Sequence, residues 1–177
     1  MKYTYENVTN IFNKIVLFCK VNGKFEYTNL ECNILEEYGK FDTCMLKSVN
    51  RTHKYATVKL IAAKLLNNIK TNMRFLKRLN GYKPFLYNFT VDTCQFLRNP
   101  KGRNKVSDFF FGLIGPYSNL NHSCPLKDIL VDKVPISFLS HQLSKVLPVP
   151  NGQYKIETYW LIDGAHVADV FISFRLF

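Results

Sequence analysis

Residues 121–125 read Asn-His-Ser-Cys-Pro, an Asn-x-Ser glycan acceptor set directly ahead of a cysteine. Both chemistries belong to one compartment. N-glycans are added to exposed Asn-x-Ser/Thr triplets in the secretory pathway, and disulfides persist where the surroundings are oxidising. The same triplet recurs at Asn7, Asn50 and Asn88. Of the five cysteines, Cys19 lies in the N-terminal segment. The even set Cys32, Cys44, Cys94 and Cys124 reads as a disulfide framework with three possible connectivities.

Other chemistries find little support. No two cysteines have Cys-x-x-Cys spacing, and His53, His122, His141 and His166 are scattered, so no metal site is expected. An enzyme needs a nucleophile, a base and an orienting group within reach of one another. The chain holds no Gly-x-Ser-x-Gly, no His-Glu-x-x-His and no phosphate loop. Asp92, Asp108, Asp132 and His141 read as surface polar residues, and neither catalysis nor a cofactor is expected.

The chain has 177 residues, the length of one domain, and carries a net charge of +11 from 24 basic and 13 acidic residues. That charge permits attraction to nucleic acid, anionic lipid or acidic glycans without choosing among them. The 15% aromatic share argues for a packed β-rich interior. Residues 1–23 read as a degenerate leader, because Ile15–Cys19 is apolar but bracketed by Lys14 and Lys20. Val21 and Gly23 suit cleavage before Lys24, leaving 24–177 as a single domain. The competing reading is a cytoplasmic chain with an ordinary N-terminal strand.

Period-two alternation dominates from Phe25 onward. In residues 84–92, Phe85, Tyr87, Phe89 and Val91 share one face, while Leu86, Asn88, Thr90 and Asp92 share the other. The first is the core face and the second the solvent face, where Asn88 could carry a glycan. Residues 68–79 and 55–66 alternate as well, and Asn80-Gly81 supplies a turn. Near the C-terminus, 153–162 and 168–174 flank Asp163-Gly164, a hairpin signal. One segment breaks the rhythm: in 103–114, Val106, Phe109, Phe110, Leu113 and Ile114 form a helical stripe that stops at Gly115-Pro116. A weaker helical pattern runs through Ile136, Leu139, Leu143 and Val146 to Pro148. The sum is an all-β, immunoglobulin-like antiparallel sandwich of about seven strands with one inserted amphipathic helix.

Cys94 closes the clearest strand and Cys124 follows the helix, so a bridge between them would clamp the helical excursion to the sheet edge. Cys32 would then pair with Cys44. A Cys32–Cys94 link would overturn this connectivity.

Several stretches together resemble a large insect family of secreted proteins of largely unassigned function that includes the chemosensory CheB proteins. They are KFEYTNLEC (24–32), LNGYKPFLY (79–87) leading to DTCQFL (92–97), NHSCP (121–125) and LPVPNGQY (147–154). The resemblance implies the ML (lipid-recognition) fold, two antiparallel sheets that part to hold an acyl chain or sterol. It matches the family's four cysteines to Cys32, Cys44, Cys94 and Cys124, and it supplies no catalytic residues. The interrupted leader departs from the family's plain hydrophobic signal.

The expected function is therefore secreted binding of a small hydrophobic ligand, a lipid, sterol, hydrocarbon or pheromone-like molecule, in chemosensation. Phe85, Tyr87, Phe89, Tyr154, Ile156, Trp160 and Phe171 are the residues expected to face inward, with Phe109, Phe110 and Leu113 of the helix over the mouth. Lys64, Lys70, Arg74, Lys77, Arg78 and Lys83 gather around the first hairpin and could meet a membrane surface. No nucleic-acid partner is expected, because the aromatics alternate onto the core face rather than lying among the cations. The alternative is a glycosylated extracellular module, with acceptors at Asn50, Asn88 and Asn121, that has a solid core and binds a receptor.

Overall fold

The computed structural model describes residues 25–50, 53–99, 105–146 and 149–177. The leader 1–23 with Asn7 and Cys19 lies outside them. So do Lys24, Thr52 of the Asn50 triplet, Arg103 and Asn104 of the expected helix, and Pro148.

Eight strands are present among the described residues: β1 (Phe25–Ile34), β2 (Gly39–Ser48), β3 (Lys54–Leu66), β4 (Ile69–Leu79), β5 (Gly81–Asp92), β6 (Leu126–Pro135), β7 (Gly152–Ile162) and β8 (Ala165–Leu176). They form two antiparallel sheets, five-stranded in the order β1-β8-β7-β4-β5 and three-stranded in the order β2-β3-β6. The all-β sandwich expected from the alternation is thus the fold. Three α-helices accompany it among the described residues: α1 (Thr93–Arg98), α2 (Lys105–Ile114) and α3 (Ile136–Val146).

Local chemistry explains the turns. Asp163 and Gly164 take φ values of 51° and 85°, and Ile162 faces Ala165 across the β7–β8 hairpin. Two successive positive φ values match the right-handed twist of the flanking strands, which is why Asp-Gly closes such hairpins. On β5 the register slips against β4 between Arg74 and Leu76, and Leu86 sits at φ 65°. The alternation persists through this bulge, with Phe85 and Tyr87 packed against the core and Leu86 exposed.

One expectation is corrected and one element is added. Cys94 does not end a strand: β5 stops at Asp92, whose carboxylate accepts the Gln95 amide at 2.8 Å and caps α1. Cys94 therefore sits in the first turn of α1. Helix α2 is the inserted helix expected from the stripe at 103–114, and α3 is the weaker helical pattern through Ile136–Val146, while α1, also in the crossover from β5 to β6, is an addition that the alternation did not reveal.

The disulfides are Cys32–Cys44 and Cys94–Cys124, with Cα separations of 6.2 and 5.4 Å. Each closes one long side of the sandwich. The first ties edge strand β1 to edge strand β2, and the second ties α1 to the residues entering β6. Restricting the unfolded chain makes them worth about 3 and about 4 kcal/mol, the longer loop being the larger.

Candidate functional site

The buried apolar residues fall into two clusters. One holds Phe25, Phe75, Tyr154 and Phe174 with Phe110 and Leu113 of α2; the other holds Leu60, Leu66, Ile69, Leu126 and Ile162. Between them lies a cavity of about 250 Å³ whose wall draws on both clusters. Its sides are Met73 and Phe89 from β4 and β5, Ile156 and Trp160 from β7, Val131 from β6 and Phe110 from α2. Among the described residues that line it, none is Asp, Glu, His, Lys or Arg.

The cavity exists because the sheets are unequal. Five strands face three, so part of the larger sheet is covered by helices instead of strands. Helix α2 turns Phe110 and Leu113 down onto that face, and Phe111 meets Phe96 of α1 with ring centroids 5.2 Å apart. Helical side chains spaced three and four apart cannot interdigitate with a pleated surface as a facing strand would, and a gap remains beneath them.

Of the ten residues proposed from sequence, the structure brings Phe89, Phe110, Leu113, Ile156 and Trp160 to the cavity wall. The other five sit elsewhere, for identifiable reasons. Phe85 and Tyr154 join Phe75 and Phe174 in a ring stack that fills the end of the sandwich beside the β4–β5 turn. Tyr87 meets Phe110 edge-on at 6.0 Å, and Phe109 meets the same Phe110 ring at 5.3 Å. Phe171 is on the opposite face of β8. The residues of β8 that turn inward are Val170, Ile172 and Phe174, leaving Phe171 against Tyr159 at 5.3 Å. An exposed sheet face can carry aromatics when long cations cover them, as Lys155 covers Phe171.

Residues that the sequence reading missed include Tyr27, Thr71, Met73, Thr93, Phe96 and Leu97. The last two and Thr93 belong to α1. Its signal was present as Asp92-x-x-Gln95, a capping pattern at a helix start.

The polar groups in the wall are few, and several are engaged. The Tyr27 hydroxyl donates to the Val134 carbonyl at 3.3 Å, and burial pushes that phenol well above the usual tyrosine range. The Thr158 hydroxyl donates to the Val170 carbonyl at 2.9 Å and accepts from the Trp160 indole at 3.2 Å. Thr71 and Thr93 pair with each other, their oxygens 2.8 Å apart.

The basic residues named from the sequence do not form one edge. Lys64 is on β3 over the Tyr38 ring, in the smaller sheet. Lys70 and Arg74 are exposed on β4, with Arg74 over Tyr159. Lys77 and Lys83 face each other directly near the hairpin end, and Lys77 covers the Phe85 and Tyr154 rings. The glycan acceptors Asn50, Asn88 and Asn121 are all exposed. A second depression of about 320 Å³ beside the β2–β3 turn is lined by His53, Lys54, Lys133 and Ile136, among others, and has no apolar depth comparable to the first.

Among the described residues, no group of three or more His, Cys, Asp or Glu is placed to hold a metal ion. No helix among them is long and apolar enough to cross a membrane.

A family described as a protein of unknown function (DUF1091) matches residues 71–156, just under half of the chain. The matched span runs from β4 to the middle of β7 and includes the whole helical cover with Cys94 and Cys124. No curated protein matches the chain.

Proposed function

We propose that this protein is a secreted carrier for a small hydrophobic ligand held between its two sheets. The observation that carries this reading is the pocket of about 250 Å³ between the sheets, with an almost entirely hydrocarbon wall. An apolar cavity of about 150 Å³ stays dry and admits benzene, so this one scales to a ligand of roughly ten carbons. Full burial of such a chain contributes about 0.8 kcal/mol per methylene, about 8 kcal/mol for ten carbons, so micromolar is the tightest affinity this burial supports before the cost of association. The two disulfides support an oxidising location, hence export.

The likeness to insect secreted proteins that include the chemosensory CheB family, and through them to the ML lipid-recognition fold, fits the same reading. In both descriptions two sheets part over an apolar space, and here a helical cover pinned by Cys94–Cys124 does the parting. A glycosylated receptor-binding module is the second reading, favoured by exposed Asn88 and Asn121.

Expressing the full chain in a secretory host and analysing its organic extract by mass spectrometry separates the two. A co-purifying ester, hydrocarbon or other apolar compound of about ten carbons, in stoichiometric amount, supports the carrier. An empty extract, with no uptake from a panel of such compounds, supports the receptor-binding module.

A further inference from the structure

The pairing of Thr71 with Thr93 narrows the ligand class, resting on the reading of the cavity as a binding site. Thr71 lies on β4 and Thr93 opens α1; both line the cavity, and their hydroxyl oxygens are 2.8 Å apart. Two hydroxyls carry two hydrogens, and one contact between them uses only one. Among the described residues neither has another hydrogen-bond partner, so one O–H is left at the cavity wall. Thr158 differs, because its hydroxyl both donates and accepts within the protein.

We infer that the Thr71–Thr93 pair is a binding point for one neutral oxygen acceptor on an otherwise hydrocarbon ligand, such as a ketone, aldehyde or ester. The spare O–H donates to the ligand oxygen while the chain runs along Met73, Phe89 and Phe110. A neutral acceptor gains a hydrogen bond that a pure alkane cannot make. An ionised fatty acid loses, because no cation in the described wall compensates a buried carboxylate. The site therefore selects against the commonest apolar metabolites, free fatty acids, without excluding them by size.

The test uses the full chain with nonane, 2-nonanone and nonanoate, matched in carbon number and differing only at the end, each titrated against a cavity-bound fluorescent naphthylamine at neutral pH. Thr71→Val with Thr93→Val keeps the shape of both side chains and removes both hydroxyls. In the double variant, the affinity for 2-nonanone relative to nonane is expected to fall about five- to tenfold, the loss of one hydrogen bond. Each single variant keeps one donor and is expected to stay within about twofold of the parent for the ketone. Nonanoate is expected to bind at least tenfold more weakly than the ketone.

An unchanged ketone-to-alkane ratio in the double variant, or nonanoate binding as tightly as the ketone, overturns the oxygen site while leaving the cavity reading intact. Failure of all three compounds to displace the probe overturns both. Loss of nonane binding in the double variant alone marks a structural role for the pair and also contradicts the inference.

Discussion

The rings of Phe75 and Tyr154 stack 5.5 Å apart and within 5° of parallel, and both side chains are fully buried. Phe174 lies within about the same distance of each, at 6.1 and 5.7 Å. This stack fills one end of the sandwich, so the hollow is confined to the part where α2 covers the larger sheet. The fold thus has a solid end that supplies stability and an open part that is free to take a guest. Phe75→Ala is expected to cost about 3–5 kcal/mol in denaturant unfolding. Neither ring lines the cavity. Tyr154→Phe removes the hydroxyl that donates to the Pro150 carbonyl, costs about 1 kcal/mol, and should leave ligand affinity unchanged.

The two disulfides should separate by function. Replacing Cys94 and Cys124 with Ala is expected to lower stability by about 4 kcal/mol and also to weaken ligand binding, because α1 forms part of the wall. Replacing Cys32 and Cys44 should cost about 3 kcal/mol. Any effect on binding should be smaller, since β1 and β2 are each held along their length by β8 and β3 without the bridge. Equal effects on affinity from the two pairs would contradict the assignment of α1 to the site.

Asp92 links strand chemistry to the site. Its carboxylate caps α1 through the Gln95 amide at 2.8 Å, and Thr93 follows directly. Asp92→Ala is expected to reduce stability by about 1 kcal/mol. Asp92→Asn keeps an acceptor at the cap and should recover most of that loss, which urea unfolding of the three proteins would show.

The pH response follows from two tyrosines. Burial raises the phenol of Tyr27, and burial together with the Glu157 carboxylate pushes Tyr159 up to about 12. In the unfolded chain these groups ionise near pH 10. A raised folded-state value means the stabilisation is complete below that point and is lost as pH rises beyond it. Stability should therefore fall above about pH 10, and Tyr159→Phe should blunt the fall. Ligand affinity is expected to be flat from about pH 5 to pH 9, since no carboxylate, imidazole or ammonium lies in the described wall.

Much of the sandwich was legible because alternation survives in the strands that pack on one face only. Residues 84–92 present Phe85, Tyr87 and Phe89 to the interior and Asn88 to solvent as their spacing implies. Strand β6 was missed: at Lys133 the backbone takes φ 51° and the register against β3 slips between Ala56 and Val58. Thr57 holds that irregularity, donating to Asp132 and accepting the Lys133 amide, and such a bulge breaks the period that marks a strand.

The site was harder to read than the fold. Period two says which residues share a face, but not which half of that face is filled. Tyr154 and Ile156 both point inward, yet the first meets the ring stack and the second meets the cavity. What decides between them is the placement of α2 against the larger sheet, a tertiary fact with no local signature. Phe171 misled for a related reason, since apolar residues crowd both faces of β8 near Val170 and Ile172 and alternation alone does not say which face is inside.

The most direct measurement is titration of the full chain with a fluorescent naphthylamine, alone and with Val131→Phe or Val170→Phe, which place a ring in the cavity from opposite walls. Either change is expected to cost about 1–3 kcal/mol while the fold survives, as checked by a thermal melt. Saturable binding by the parent that disappears in a folded, filled variant is the expected result. A parent that binds no probe, or a filled variant that binds it as well as the parent, would show that the hydrocarbon-lined space between the sheets is not where a guest resides.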